Sequence, residues 1–413
     1  MTESKAQTRR VAIACGGTGG HLFPGLAVAD ELLSRGCKVT VLVSPKEVDE
    51  QGLRGATGVD VVTLPAVGLV LGRMLGFWRG FRDSYRRVRL EFTARPPQAV
   101  LAMGGFTSAP PILAARRLSV ATFLHESNTI PGRSNRWLSW VVNAAFVGFP
   151  CAAGHLHTRQ VRVTGTPVRR LNTQDAAACR GALGLDPTRP VVLVMGGSQG
   201  ATAINDLVAK VLCLAAESAL GCQWVHLSGS ADREKVERAY AAAKLRAVVQ
   251  SFCSRMDLAL GAATVAISRA GASSLAELAA VQLPAILVPY PAATDNHQYF
   301  NARAFEEIGA AVLMPQIAAT PHALHEAIRQ LLDDQNKRGA MRRALARAHR
   351  PQAAQEIAEA VLAGVGSQSR QAASQPLPLS GLQPDCERSS NEDLNSRRRR
   401  RLPEIASAGS AAG

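Results

Sequence analysis

Residues Val265–Gln298 read VAISRAGASSLAELAAVQLPAILVPYPAATDNHQ, and the rest of the chain follows the pattern of this stretch. Its apolar start, Val265–Ile267, predicts a buried strand. A loop of small residues, 268–274, comes next, and Leu275 and Leu278 then share one face of a predicted helix. A second apolar run precedes the final loop. The order strand, tight turn, helix, strand is typical of α/β folds.

The turn at Gly271–Ser274 predicts an anion site. The first backbone N–H groups of a helix are unpaired, and the helix dipole favours negative charge beside them. Small side chains leave room for a diphosphate to approach the backbone. Glu277 lies one turn into the helix, at a distance suited to ribose hydroxyls, and Gln298 could reach a sugar. An ordinary strand-turn-helix with a capping serine is the alternative interpretation.

The composition favours a globular protein with an anionic partner. A length of 413 residues with 47% hydrophobic residues allows two or three domains. A formal charge of +15 and a pI near 10.1 indicate nucleic acid, acidic lipid or a phosphorylated substrate. Aromatic residues are only 5%, and no basic stretch alternates with stacking rings. We therefore expect no nucleic-acid partner.

Cysteine usage and the chain start favour a reducing cytosol. The eight cysteines include no CxxC pair, and most lie in apolar runs. Free, buried thiols are the simple interpretation. The start, MTESKAQTRR, lacks the apolar core of a signal peptide. Because no run of about 18 apolar residues occurs, we expect no membrane-spanning helix.

A strand followed by a glycine-rich turn occurs at two places in the chain with similar sequence. The segments VAIACGGTGG and VVLVMGGSQG begin at Val11 and Val191 and align without a gap, 180 residues apart. Strands alternate with helical patterns after each, which predicts two doubly wound domains with parallel sheets. Gly165–Pro167 reads as a hinge, and the first long helix is expected from about Pro24 to Arg35. Thirteen strands are predicted: 11–15, 38–43, 61–64, 99–103, 121–124, 145–149, 161–164, 191–195, 223–227, 248–252, 265–267, 285–288 and 311–314.

The predicted division of the chain has five parts. They are a flexible start (1–10), a first domain (11–166), a second domain (167–350), a C-terminal helix that could return to the first domain (351–365) and a disordered tail (366–413). The tail is rich in Ser, Gln, Pro and Ala and carries the run Arg397–Arg401. A solvated tail is the main interpretation of this run.

Four turns of small residues follow predicted strands: Gly16–Gly20, Gly104-Gly105, Gly196–Gly200 and Ala270–Ser274. Ligands of open α/β sheets bind at such strand ends, so four turns favour a ligand with phosphates. The spacing is not that of a GxGxxG dinucleotide site, and no GxxxxGK[ST] motif occurs.

The charge of a diphosphate must be offset by a metal, by cations or by helix N-termini. No Asp-x-Asp pair occurs in the chain. Arg169, Arg269 and the turns supply the other two sources. We therefore expect metal-independent chemistry and no cofactor.

Seven ordered motifs between Val11 and Gly364 resemble the MurG family of peripheral membrane N-acetylglucosaminyltransferases, which make lipid II of peptidoglycan. The motifs are GGTGGHLFPGLAVA (16–29), GGF (104–106), HESNTIPGRSNR (125–136), TGTPVR (164–169), GGSQGA (196–201), SRAGASSLAEL (268–278) and DNHQYFNA (295–302). The resemblance implies a GT-B fold, with the acceptor in the first domain and UDP-GlcNAc mainly in the second. Phe106 stands where some members have Tyr.

The resemblance also implies the site residues. Thr18, Gly19 and Gly20 would lie near the sugar and the acceptor pyrophosphate. Arg169 and Ser198 would hold the diphosphate, and Cys253 would lie near uracil. The remaining implied substrate-binding residues are Asn128 and Gln298 at the sugar, and Ala272, Ser273, Ser274, Leu275, Ala276 and Glu277 at phosphate and ribose.

The implied reaction is an inverting transfer of GlcNAc to the C4 hydroxyl of MurNAc in lipid I. Such a transfer needs a base, and His21 is the candidate because its unperturbed pKa lies near 6.5. Glu126 is the second candidate. A structural histidine and an orienting carboxylate are the alternative interpretations.

The stretch 69–89 mixes apolar and aromatic residues with arginines, which fits an interfacial helix on anionic lipid. A helix packed on its own domain is the alternative. A polyprenyl-linked acceptor favours the membrane, at the cytoplasmic face of the inner membrane. Three rival functions stay open: another UDP-sugar transferase of the same fold acting on a glycolipid, a non-hydrolysing UDP-GlcNAc epimerase, and an inactive nucleotide-sugar sensor or scaffold.

Overall fold

The computed structural model describes residues 8–65, 74–171, 175–197, 200–217 and 220–373. Within them the chain forms two parallel sheets, the first in the order β3-β2-β1-β4-β5-β6-β7 and the second in the order β10-β9-β8-β11-β12-β13. The first sheet consists of β1 (Arg10–Ala14), β2 (Lys38–Val43), β3 (Val59–Thr63), β4 (Ala99–Ala102), β5 (Ala121–Glu126), β6 (Ala144–Val147) and β7 (Val161–Val163). The second consists of β8 (Val191–Met195), β9 (Gln223–Leu227), β10 (Ala247–Gln250), β11 (Val265–Ser268), β12 (Ala285–Leu287) and β13 (Ala311–Leu313).

The described helices of the first domain are α1 (Gly19–Ser34), α2 (Glu47–Leu53), α3 (Met74–Ala94), α4 (Ala109–Arg117) and α5 (Arg133–Leu138), with a 3-10 turn at Pro150–His155. Those that follow are α6 (Ala176–Ala182), α7 (Thr202–Glu217), α8 (Arg233–Ala242), α9 (Met256–Ala262), α10 (Ala272–Ala280), α11 (His297–Glu307), α12 (Pro321–Asp333), α13 (Gln335–Ala348) and α14 (Ala353–Ala373), with a 3-10 turn at Thr294–Asn296. The fold predicted from the sequence is confirmed: all thirteen predicted strands occur, with ends displaced by at most two residues.

Apolar strands explain why both faces of each sheet are covered. In β1, Val11 and Ile13 join the core on one face, whereas Ala12 and Ala14 join the core on the other. Successive side chains of a strand point to opposite faces, so a run that is apolar throughout needs helices on both sides. Burying these strands supplies much of the driving force for folding, at roughly 25 cal/mol per Å² of apolar surface.

The four predicted turns lie at the switch points of the two sheets. The strand order reverses between β1 and β4, where Ala14 is paired with Ala102, and between β8 and β11, where Met195 is paired with Ser268. These four strands are the ones that the turns follow. A switch point opens a crevice at the carboxyl ends of the strands, which is where open α/β sheets bind ligands.

Helix α1 begins earlier than the sequence pattern indicated. We expected it from Pro24, but it starts at Gly19 and contains Pro24 in its second turn. Proline has no N–H, so in this position it removes one helical hydrogen bond, the one to the carbonyl of Gly20 four residues earlier. It is tolerated because only that carbonyl needs another partner. That carbonyl finds another partner, described below. Gly19 and Gly20 are therefore part of a helix N-terminus rather than of a free loop.

The last helix packs on the first domain. Ile357, Ala358 and Val361 of α14 are fully buried in the core formed by the first sheet and α1. A Cβ added at Gly364 would lie 2.5 Å from the Phe123 ring, so the helix approaches the sheet closely. The chain therefore crosses between the domains twice.

Both crossings lie together. Gly165 has a φ of +83°, and a Cβ added there would lie 2.5 Å from Cβ of Arg350, in the short link between α13 and α14. Only glycine combines this conformation with this close approach.

Helix α14 continues through Ala373, eight residues into the segment predicted as the tail. Once the turns at Ile357 and Val361 are packed, adding further helical residues costs little. The rest of the tail, 374–413, lies outside the described residues. None of the helices described here is long and apolar enough to cross a bilayer.

We predict that Ile357→Ala lowers the free energy of unfolding by about 2–5 kcal/mol, because it leaves a cavity in the first domain's core. Chemical denaturation followed by circular dichroism measures the change. Gln355→Ala, on the exposed side of the same helix, is the matched control and should stay within about 0.5 kcal/mol of the parent chain. Equal stability of the two variants would refute the packing described.

Candidate active site

A cleft of about 1260 Å³ lies between the domains, at the carboxyl ends of both sheets. Most of the residues singled out from the sequence line it: Thr18, Gly19, Gly20, His21, Glu126, Asn128, Arg169, Cys253, Arg269, Ala272, Ser273, Ser274, Glu277 and Gln298. Two do not. Leu275 is 1% exposed and packs in the core of the second domain, and Ala276 does not line the cleft. Ser198 lies outside the described residues.

The N-terminus of α10 faces the cleft without a side-chain cap. Its N-cap residue, Gly271, has extended backbone, and the first amides of the helix are left for a ligand. The hydroxyl of Ser273 donates to the carbonyl of Gly20, 3.0 Å away in the other domain. This is the carbonyl that Pro24 leaves without an intrahelical partner. The bond brings the starts of α1 and α10 together across the cleft.

Glu277 and Arg169 face the same part of the cleft. Burial raises the pKa of Glu277 to about 7, and the positive charge of Arg169 opposes that rise. The guanidinium of Arg169 stacks on the Phe23 ring, with 4.0 Å between its central carbon and the ring centroid. This stacking holds the cation in place over the ring. A half-protonated carboxyl beside a fixed cation is well suited to bind hydroxyls and phosphate.

Arg269 lines the cleft and also has a structural contact. It is 6% exposed, and its Nη1 donates to the carbonyls of Val288 and Pro289 at 3.0 and 3.1 Å. Burial lowers its pKa. Part of the guanidinium therefore ties β11 to the loop after β12.

His21 lies against the glycine turn that follows β4. Its Nδ1 is 3.0 Å from Thr18 Oγ1. A Cβ added at Gly104 would lie 3.0 Å from its Nε2, and one added at Gly105 would lie 3.1 Å from its Nδ1, so both glycines make room for the ring. Burial lowers the pKa of His21, the carboxylates of Glu126 and Asp49 raise it, and His297 and Lys46 lower it. The net lowering keeps the imidazole neutral near pH 7, as a base requires.

Glu126 is held by four donors. Its Oε1 accepts from the backbone and side-chain nitrogens of Asn128 at 2.8 and 2.9 Å, and its Oε2 accepts from Gly132 N and Asn135 Nδ2, both at 2.9 Å. It is 3% exposed. A carboxylate whose oxygens are already occupied is poorly placed to take a further proton. The alternative stated above, an orienting carboxylate, fits this geometry better than a catalytic base.

Asn301 joins the two domains, and sequence reasoning assigned it no role. Its Oδ1 accepts from the N–H and hydroxyl of Thr129, both at 2.9 Å. Its Nδ2 donates to Asn128 Oδ1 at 3.0 Å and to the carbonyl of Ala270 at 3.1 Å. The side chain is fully buried. Its place in the motif DNHQYFNA was the available signal, but the pairing partners are remote in sequence.

The loop before α11 and the start of that helix also line the cleft. Gln298 Oε1 accepts from Tyr290 N at 3.0 Å, which leaves its amide hydrogens for a ligand. Asp295 pairs with Arg136 and, at 3.8 Å, with Arg133 of the first domain.

Cys253 is 8% exposed, and burial raises the pKa of its thiol. It therefore offers an apolar surface rather than a nucleophile. Within the described residues, no group of three or more His, Cys, Asp or Glu side chains could hold a metal ion.

Helix α3 contains the described part of the stretch 69–89. Residues 69–73 lie outside the described residues. Phe77, Trp78 and Phe81 contact one another, with ring centroids 5.6 to 6.3 Å apart, and line the mouth of the cleft. Leu75 and Trp78 are 82% and 58% exposed. The arginines of the same helix, at 79, 82, 86, 87 and 89, are exposed as well.

Known families share this architecture. A model of the glycosyltransferase family 28 N-terminal domain matches residues 11–147, and a model of its C-terminal domain matches residues 191–357. A relative from Anaeromyxobacter dehalogenans (strain 2CP-1 / ATCC BAA-258) is 38% identical over 358 residues, which cover 85% of this chain and 91% of the relative. The chain belongs to glycosyltransferase family 28. The two matched segments of the family are the two domains that enclose the cleft.

That relative is named UDP-N-acetylglucosamine--N-acetylmuramyl-(pentapeptide) pyrophosphoryl-undecaprenol N-acetylglucosamine transferase. A family 28 relative from Desulforudis audaxviator with the same name is 37% identical over 377 residues, covering 87% of this chain and 100% of the relative. The crystal structure of Acinetobacter baumannii MurG is similar with a TM-score of 0.65 and 25% identity, covering 86% of this chain and 99% of that one. The GT-B fold and the MurG resemblance expected from the sequence are thereby confirmed.

We predict that Glu277→Gln weakens binding of UDP about tenfold at pH 8, because a charged acceptor of hydrogen bonds is lost. In the parent chain, binding should weaken as the pH falls through about 7, where the carboxyl takes up its proton. The Gln variant should lose this pH dependence. Isothermal titration calorimetry measures both effects, with the exposed Glu234→Gln as control. The same pH dependence in the Gln variant and the parent would count against Glu277.

Proposed function

We propose that this family 28 member is a hexosyltransferase that moves GlcNAc from UDP-GlcNAc to the C4 hydroxyl of MurNAc in undecaprenyl-pyrophosphoryl-MurNAc-pentapeptide. The product is the lipid-linked disaccharide from which peptidoglycan is made. The names of relatives that align over nearly their whole length support this activity. The chain thus has the role of MurG in cell-wall synthesis.

One observation carries the proposal at the level of the site: the bond from Ser273 to the Gly20 carbonyl. It sets the N-terminus of α10, with Glu277 one turn further along, beside the residue that precedes His21. A nucleoside diphosphate on α10 would therefore lie next to the candidate base. A binding protein has no need of this arrangement, whereas transfer requires donor and base at one point.

The chemistry is a displacement with inversion. His21 takes the proton of the acceptor hydroxyl while the hydroxyl oxygen forms a bond to the anomeric carbon of GlcNAc. The bond from that carbon to the diphosphate oxygen breaks at the same time, and its electron pair leaves with UDP. The departing negative charge is stabilised by the first amides of α10 and by Arg169. We keep Glu126 as an orienting residue.

We infer that this offset of charge needs no metal ion. A helix N-terminus and the guanidinium of Arg169 both line the cleft in which we propose that the diphosphate binds. The chain also lacks an Asp-x-Asp pair.

The rival functions differ in what they require of the cleft. A glycolipid transferase for another UDP-sugar would differ at Gln298 and the loop before it. An epimerase needs no lipid acceptor and no apolar helix at the cleft mouth. An inactive sensor needs no base, whereas His21 is kept neutral beside the donor site. The alignment with transferases of one printed name favours the first proposal over all three.

We further propose that the enzyme works as a peripheral protein on the cytoplasmic face of the bacterial inner membrane. The exposed apolar face of α3 lies at the cleft mouth, where a polyprenyl-linked acceptor would enter. Arginines around it suit an anionic lipid surface.

The decisive test is transfer itself. Incubation with UDP-GlcNAc and a lipid I analogue should give a product heavier by one N-acetylhexosamine, identified by mass spectrometry. UDP-galactose should give at least tenfold less product, and EDTA should leave the rate unchanged. Product from UDP-galactose alone would support the rival transferase. A rate abolished by EDTA and restored by magnesium would refute metal independence.

The membrane proposal predicts that replacing Leu75 and Trp78 by Ser weakens binding to vesicles containing phosphatidylglycerol at least tenfold. Each of these side chains contributes about 1.5–3 kcal/mol when buried in an apolar phase. Vesicle sedimentation measures the bound fraction. Ile317→Ser, at a fully exposed position of the second domain, should bind like the parent. Unchanged binding of the α3 variant would remove this helix from the interface.

A further inference from the structure

Both backbone polar groups of Gly17, its N–H and its carbonyl, are bound by residues of one short segment, 46–49. Its N–H donates to Asp49 Oδ2 at 2.7 Å, and its carbonyl accepts from Lys46 Nζ at 3.0 Å. Gly17 has a φ of +109°, and a Cβ added there would lie 2.9 Å from the Phe106 ring. The Lys46 ammonium lies 5.1 Å from the centroid of the same ring. Neither Asp49 nor Lys46 belongs to a motif of the sequence.

Asp49 is anchored to the scaffold as well as to the turn. Its Oδ2 also accepts from the N–H and hydroxyl of Ser44, at 3.0 and 2.5 Å, directly after β2. The side chain is fully buried, and its Oδ1 has no hydrogen-bond partner among the described residues. Burying a carboxylate is costly, and three bonds to one oxygen offset only part of that cost. A hydrophobic residue would serve packing alone at lower cost.

The clamped peptide leads directly to the candidate base. Thr18 follows Gly17, and its carbonyl accepts from the N–H groups of His21 and Leu22. Its hydroxyl lies 3.0 Å from His21 Nδ1. A shift of the Gly17 peptide would therefore move both the start of α1 and the imidazole.

The clamp also places two opposite charges near the ring. The charged and titratable groups that face His21 are Glu126, Asp49, His297 and Lys46. Asp49 raises the pKa of His21, and Lys46 lowers it. Their removal should therefore have opposite effects, which a purely structural role of either residue would not produce.

We propose that Asp49 and Lys46 are positioning residues for the transfer: they fix the Gly17 peptide so that the Thr18 hydroxyl accepts from His21 Nδ1–H. This tautomer leaves the Nε2 lone pair for the proton of the acceptor hydroxyl. The role in transfer rests on the proposed function, whereas the tautomer and the electrostatic effect do not.

The test combines three variants with nitrogen NMR of protein labelled in its histidines, the His21 signals being assigned with His21→Gln. The parent should show neutral His21 protonated at Nδ1. Asp49→Asn should lower the pKa of His21, and Lys46→Met should raise it. Glu50→Gln, an exposed carboxylate on the same helix, should leave it unchanged. Chemical denaturation verifies that each variant is folded.

The kinetic test uses the same variants with UDP-GlcNAc and the lipid I analogue. Asp49→Asn should reduce kcat about tenfold, a part of the 10²–10⁴ that a positioned base contributes, with the KM for donor unchanged. The acid limb of its kcat/KM profile should move to lower pH, and that of Lys46→Met to higher pH.

A parent ring protonated at Nε2, or pKa shifts of the same sign in both variants, would overturn the proposal. So would an increase in donor KM that accounts for the whole loss of Asp49→Asn. A parent chain that makes no product while the NMR results are as expected would contradict the proposed function and leave the clamp supported.

Discussion

The hydrogen bond from Ser273 to the Gly20 carbonyl is the constraint on which the cleft depends. It exists because Pro24 cannot donate to that carbonyl, so helix α1 offers an acceptor to the opposite domain. The bond brings two helix N-termini together, each with a partial positive charge. Two like ends facing one another are unfavourable in an empty cleft. A diphosphate between them would relieve this, which is the physical reason for proposing an anionic ligand at this place.

The two carboxylates of the cleft have different environments and therefore different uses. Glu126 is buried but occupied by four donors, so it stays an acceptor of fixed direction. Glu277 is only partly buried, with the cation of Arg169 nearby, and its pKa is raised to about 7. In many active sites, two groups of the same type have different roles because their surroundings differ. His21, neutral and close to both domains, is then the group able to accept a proton.

The sequence was sufficient for the fold because parallel strands are apolar along their whole length, and their loops carry glycine where a positive φ is needed. It also predicted residues that line one cleft, since Glu277 and Gln298 lie within one continuous stretch. It did not show the tertiary contacts. Arg269 lines the cleft, and its Nη1 also binds the carbonyls of Val288 and Pro289. Nothing in the sequence pattern distinguishes these two uses of an arginine.

The same limit explains the residues that sequence reasoning missed. Asp49 and Lys46 lie at the start of α2, a helix of seven residues without a motif, and they act on a peptide about 30 positions earlier in the chain. Asn301 binds Thr129 across 172 positions. The early start of α1 was missed because proline usually marks a first turn, and its tolerance in the second turn requires a partner for Gly20 from the other domain.

The contacts across the cleft differ in strength, and the difference indicates which of them holds the domains together. Asp295 and Asn296 adopt left-handed backbone, with φ of +50° and +54°, at a cost of roughly 1–2 kcal/mol each. The partly exposed ion pair between Asp295 and Arg136 stabilises the contact by about 1 kcal/mol at most. Asn301 is fully buried, and three of its four hydrogen bonds, to Thr129 and Asn128, reach the first domain, at a net contribution of about 0.5–1.5 kcal/mol each. Asn301 is therefore the stronger of these two contacts between the domains, and the strained loop leads directly into the helix that begins with His297 and Gln298.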